Sequence, residues 1–164
     1  MPVAATVVKE HIFEAFYGET TELMHFRHIN TYGGHPVSAA VSLKNIDIVK
    51  QENLPANAEK MEKYIKNRLS EFADHPLVGD IRGRGLLLGI ELVTDKDKKT
   101  PVSLAQANGI IQNCIKEGVF LMRNGNTVPG LGNILIMAPP LVLKENEADQ
   151  IVDAIKKSLN KALN

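Results

Sequence analysis

"HPLVGDIRGRGLLLGIELVTD", residues 75–95, is the stretch whose reading decides the fold. Val78, Ile81, Leu86, Leu88, Ile90 and Leu92 are punctuated there by Gly79, Gly83, Gly85 and Gly89. Apolar residues at short spacings between glycines read as two strands, or as one long bent strand. The Gly83-Arg84-Gly85 triplet is no nucleotide fingerprint, because it lacks the G-x-G-x-x-G spacing and no helix follows it.

Helical periods flank this stretch. Upstream, Pro55 opens a helix in which Met61, Tyr64, Ile65, Leu69 and Phe72 share one face, while Glu59, Lys60, Glu62, Lys63 and Lys66 form a solvated one. Before it, Val37, Ala40, Val41, Ile46 and Val49 predict a largely buried helix from Pro36 to about Lys50. Lys9 to Tyr17 is helical in pattern, and residues 18–34 are a long polar connection of the kind that carries function. Downstream, "DKDKKTP" is a charged turn, and Ser103–Lys116 is a helix with Ala107, Ile110, Ile111 and Ile115 inward. "GVFLM" and "NILIMAPPLVL" are strands separated by the loop "RNGNTVPGLG", and Glu147–Leu163 is a last helix facing in through Ile151, Val152, Ile155 and Leu159. The expected fold class is α/β: a small, mostly antiparallel sheet from residues 78–93, 119–122 and 133–138, with helices 59–73, 103–117 and 147–163 on one face.

Composition narrows the function. The 164 residues suffice for a real core, with 44% hydrophobic and 23% charged residues. Nineteen basic residues balance nineteen acidic ones, which argues against nucleic-acid or anionic-membrane partners. Cys114 is the single cysteine, so no internal disulfide forms and a cytoplasmic location is expected; no CxxC or His-rich spacing suggests a metal. "VAATVV", residues 3–8, is too short to span a bilayer and reads as a buried strand at the start of the chain. That opening fits both a natural N-terminal strand and a piece of something longer.

"HINTYGGHPVSAA", residues 28–40, sets a permissive Gly-Gly loop before a His-Pro that opens a helix. Proline suits the first helical turn, where its missing N–H costs nothing. The helix would aim free N–H groups and its positive dipole end at the loop, which suits a phosphate. Most such turns are only turns.

Three stretches together resemble one family. "HINTYGGHPVSAAVSLKNIDIVKQENL", "HPLVGDIRGRGLLLGIELV" and "LGNILIMAPPLVL" are similar, in order and spacing, to the C-terminal part of class III pyridoxal-phosphate aminotransferases. The resemblance runs from Pro2 onward. It implies the C-terminal small domain of a fold type I transferase over residues 35–164, with residues 1–34 a remnant of the large cofactor-binding domain and interface loop. It also implies a homodimer in which Thr31 donates to the cofactor phosphate bound by the other subunit, helped by backbone N–H groups of Tyr32 and Gly33. Arg123 matches the position of an arginine that forks onto the substrate's α-carboxylate. "TYGGHP" is most similar to the ω-amino acid:pyruvate and taurine:pyruvate group; ornithine-type enzymes and aminomutases more often carry Asn before the Pro.

The same resemblance implies what these residues do not supply. The Schiff-base lysine and the carboxylate facing the pyridinium nitrogen belong to a part of the family preceding "MPVAATVV". Lys60, Lys63 and Lys66 sit on a solvated helix face and Lys96, Lys98 and Lys99 in a charged turn. The expectation is therefore a transaminase fragment, using an amine or ω-amino acid and a keto acid such as pyruvate in the full-length enzyme. By itself the chain is expected to be inactive and to bind no pyridoxal 5'-phosphate. The alternatives are a free-standing, non-enzymatic binding or oligomerisation module, and an aminomutase or ornithine-type member.

Overall fold

The computed structural model describes residues 1–26, 29–125 and 128–163, with the backbone alone at Thr20. His28, and Asn126 and Thr127 of the expected 123–132 loop, lie outside the described residues. Two compact units are present, Met1–Glu52 and Asn53–Asn164.

The second unit is built on the 75–95 stretch. It folds as an antiparallel hairpin, β1 (Val78–Arg84) and β2 (Leu87–Asp95), with Ile81 opposite Ile90 and Arg84 opposite Leu87. Gly83 is required here: at φ 143° its missing Cβ would lie 2.2 Å from the Leu87 carbonyl oxygen. Period two then sorts the faces. Leu88, Ile90 and Leu92 are buried, as are Leu135 and Met137 of β5 (Ile134–Met137), which pairs antiparallel with β2. Burial of each such side chain stabilises the fold by about 1.5–3 kcal/mol. On the opposite face Arg82 bridges Asp80 at 2.8 Å and Glu91 at 2.6 Å. The order is β1-β2-β5-β4, with β4 (Met122–Arg123) antiparallel to β5 and the two-residue β3 (Thr100–Pro101) paired to β2.

Three helices pack on the apolar face. Helix α3 (Leu54–Ser70) contributes Ala58, Met61, Ile65 and Leu69 at the three-four spacing of one stripe. Helix α4 (Leu104–Lys116) starts where Ser103 Oγ accepts the Gln106 N–H at 3.1 Å, and it buries Ala107, Ile110, Ile111 and Cys114. Helix α5 (Glu145–Lys161) buries Val152, Ile155 and Leu159. Tyr64 donates to Asp149 at 2.9 Å, and Arg68 pairs with Asp149 and Asp153, joining α3 to α5.

Six expectations need correction. Residues 3–8 form no strand: a strand needs a ladder partner, and the described backbone–backbone contact is one N–H···O bond, Ala4 to Tyr32, at 3.3 Å. In the first unit α1 is short (Glu10–Glu14), and α2 (Pro36–Gln51) has Ser38 as its one buried residue, because its apolar residues are spread around the helix. "GVFLM" is a strand only from Met122, and Ile115 is exposed while Cys114 takes the inward place. Glu62 and Lys66 are half-buried and bonded to the hairpin rather than wholly solvated.

Candidate functional site

In the first unit the chain from Asn30 closes a tight turn. Gly33 N–H donates to the Asn30 carbonyl at 2.8 Å, with Thr31 and Tyr32 at the two central positions. The Asn30 amide reaches Thr6 Oγ1 at 3.5 Å, which with the Ala4–Tyr32 bond ties the turn to residues 4–6. Gly34 follows at φ 77°, a region L side chains avoid, and a Cβ there would meet nothing within 4 Å. The chain then becomes extended at His35, and Pro36 takes the first position of α2. His35 gives no side-chain cap to that helix.

A shallow depression of about 360 Å³ lies at this turn, lined by Pro2, Thr31, Tyr32, Gly33, His35 and Ser38 among others. Among the described residues its lining holds no carboxylate. The Gly33 N–H expected to assist is spent on the Asn30 carbonyl, which leaves the Thr31 hydroxyl and the opening turn of the 16-residue helix behind it as donors suited to a phosphate monoester. The residues present therefore fit the phosphate of pyridoxal phosphate.

Arg123 belongs to the second unit. It sits half-buried in β4, opposite Leu135. Its Nε donates to Asn108 Oδ1 of α4 at 2.9 Å, and its Nη1 donates to the Asn124 carbonyl at 3.0 Å. Asn124 is itself fixed, since Oδ1 accepts the Ile134 N–H at 2.9 Å and its own N–H donates to the Ile134 carbonyl at 3.0 Å. The root of the 123–132 loop is thus stitched to β5.

Thr31, Tyr32 and Gly33 come together in one turn, while Arg123 lies in the other unit. Asn108 escaped the sequence reading. It lies 15 residues from Arg123, and an exposed asparagine among the inward positions of α4 carries no signal of its own. No lysine is buried: Lys66 and Lys96 are half-buried and bonded to carbonyl groups, and the others are exposed. Among the described residues no three His, Cys, Asp or Glu side chains cluster as a metal centre requires, and no helix is long and apolar enough to cross a membrane.

Comparison with known proteins gives the family of the chain. The family model described as aminotransferase class-III matches residues 1–159. An uncharacterized aminotransferase, YhxA, of Bacillus subtilis is 41% identical over 158 residues, covering 96% of this chain and 35% of that protein. A taurine–pyruvate aminotransferase of Rhodobacter capsulatus is 34% identical over 161 residues, covering 97% and 35%. The crystal structure of a Bacillus anthracis aminotransferase superposes with a TM-score of 0.87 at 42% identity, covering 94% of this chain and 34% of that one. The chain spans about a third of the length of these relatives. With a family match over nearly its whole length and an α/β sheet-and-helix unit like those of solved aminotransferases, the chain belongs to the class III aminotransferases.

Proposed function

We propose that these 164 residues are the C-terminal part of a dimeric class III transaminase. In the complete enzyme an amino group moves from an amine or ω-amino acid to an α-keto acid such as pyruvate. Residues 35–164 serve as the small domain, and residues 1–34 complete the large domain and the subunit interface. The observation that carries the reading is the acid-free turn that presents Thr31 before α2, in a chain of this family. The taurine–pyruvate relative supports the choice of acceptor.

Bound pyridoxal phosphate supplies the electron sink for amino-group exchange. Thr31 donates its hydroxyl to the phosphate held by the neighbouring subunit, and the Tyr32 and Gly33 segment brings the backbone close. Arg123 receives the carboxylate of the keto acid through charge-assisted hydrogen bonds. The lysine that would hold the cofactor lies outside these residues, a reading supported by the exposure of the lysines present. The test is alanine formation from pyruvate by the full-length enzyme across a panel of amines and ω-amino acids. Alanine produced from several donors is the expected result. Failure with every donor, while 2-oxoglutarate is accepted, would replace the pyruvate assignment.

A further inference from the structure

Arg123 is held at its inner nitrogen by a neutral group from another element. Asn108, on the exposed side of α4, accepts the Nε–H at 2.9 Å, and the Asn124 carbonyl accepts from Nη1 at 3.0 Å. Fixing Nε sets the plane in which the guanidinium lies, and hence the direction of its carboxylate-binding edge. An amide does this without adding a negative charge of its own. A carboxylate at position 108 would orient the arginine equally well, but it would compete with an incoming acid for the same cation.

Helix propensity does not account for Asn108. Asparagine is a poor helix former, and this one sits in the interior of α4 beside Gly109, another weak helix residue. Alanine would serve the helix better. From these observations we propose that Asn108 is a positioning residue for substrate carboxylate recognition, acting through Arg123 and setting preference for keto acids over acceptors without a carboxylate. The inference rests on the carboxylate-binding role given to Arg123 above.

The test uses the full-length enzyme and four variants: R123A, N108A, N108D and the N108A/R123A double variant. KM and kcat are measured with pyruvate and with an aliphatic aldehyde as acceptors. R123A is expected to raise the KM for pyruvate roughly ten- to hundredfold and to spare the aldehyde. N108A is expected to raise it about threefold with kcat little changed, and N108D about tenfold, both again sparing the aldehyde. Thermal midpoints of N108A and N108D should stay at or above the parent value, which separates positioning from support of the fold. In the R123A background, N108A should add nothing, because the two act as one unit.

If R123A leaves pyruvate kinetics unchanged, the underlying role of Arg123 fails and the inference goes with it. If R123A acts but N108A and N108D keep the pyruvate KM within twofold of the parent, Asn108 has no positioning role. An N108A effect of equal size with and without Arg123 would also overturn it.

Discussion

The backbone N–H of Gly85, in the turn between β1 and β2, donates to Glu62 Oε2 of α3 at 2.5 Å. The other oxygen of that carboxylate accepts from Lys66 Nζ at 2.7 Å, and Lys66 also reaches the Gly83 carbonyl at 2.7 Å. One turn of helix therefore clamps both the donor and the acceptor side of the hairpin tip. The Lys66 ammonium, followed by the Gly85 N–H, holds the Glu62 carboxyl below its ordinary 4.5.

Replacing Glu62 with Ala removes the acceptor for Gly85 and the anchor for Lys66. A fall of a few degrees in the thermal midpoint is expected. Because the folded-state pKa is depressed, this contribution is present above the unfolded value near 4.5 and is lost as pH falls through the lower folded value. The difference between parent and E62A should therefore shrink in acid. A constant difference from pH 7 to pH 3 would show that the ionised carboxylate is not what clamps the hairpin.

His75 gives a second pH dependence of the same sign. Its Nδ1 accepts the Leu77 N–H at 3.2 Å at the entry to β1. Burial lowers its pKa from the ordinary 6.5, the Asn160 side chain opposes that shift, and the Lys96 cation adds to it. The unfolded chain then binds the proton more readily, so stability is full above about 6.5 and falls as pH drops below it. Midpoints measured between pH 7.5 and 5.5 should fall further for the parent than for H75Q. Parallel curves would remove His75 as the source.

Amide exchange should separate the two units. All the buried hydrophobic residues described lie from Leu54 onward, so the first unit has little apolar burial to oppose local opening. Fast exchange is expected for residues 10–26 and strong protection for residues 88–92 in the 164-residue chain. Equal protection in both would show that the first unit is stable without the rest of a transaminase around it.

What the sequence disclosed follows from how each signal arises. The hairpin, α3, α4 and α5 were legible because one face of each is buried and the other is not, which writes period two or the three-four alternation into the chain. Val3–Val8 misled because a segment rich in β-branched residues records strand propensity and cannot supply a neighbouring strand. Helix α2 misled through its apolar content, which lacks a single stripe. At the site, the Thr31 turn could be read from Gly-Gly-His-Pro, since turn chemistry is local. The hold of Asn108 on Arg123 could not, because it forms only when α4 is laid beside β4.

Thr31→Ala in the full-length enzyme should weaken cofactor retention. Loss of one hydrogen bond to a charged oxygen contributes roughly a tenfold change when other phosphate contacts remain. Dilution followed by the cofactor's visible absorbance measures it. If Thr31 serves the neighbouring subunit, mixed dimers carrying T31A in one subunit should show one normal and one weakened site. Two normal sites in the doubly substituted dimer would remove Thr31 from the phosphate contacts.

The last prediction is that the 164-residue chain alone is no catalyst. An imine-forming lysine needs a neutral amine, and desolvation is what brings its pKa down toward neutrality. None of the lysines here is buried. The two that are half-buried spend their ammonium groups elsewhere, Lys66 on Glu62 and Gly83 and Lys96 on the Ala73 carbonyl at 2.6 Å. Lys157 is paired with Glu117 at 2.7 Å, and that carboxylate raises its pKa further. On the proposed reading, the Thr31 turn in one unit meets a phosphate and Arg123 in the other meets a carboxylate, while the lysines present are exposed or already paired. Incubation with pyridoxal phosphate, borohydride reduction and peptide mass spectrometry should find sparse pyridoxyl groups scattered over several exposed lysines, and no alanine should form from pyruvate. One lysine carrying the group in most molecules would overturn this reading and would identify that residue as the catalytic amine.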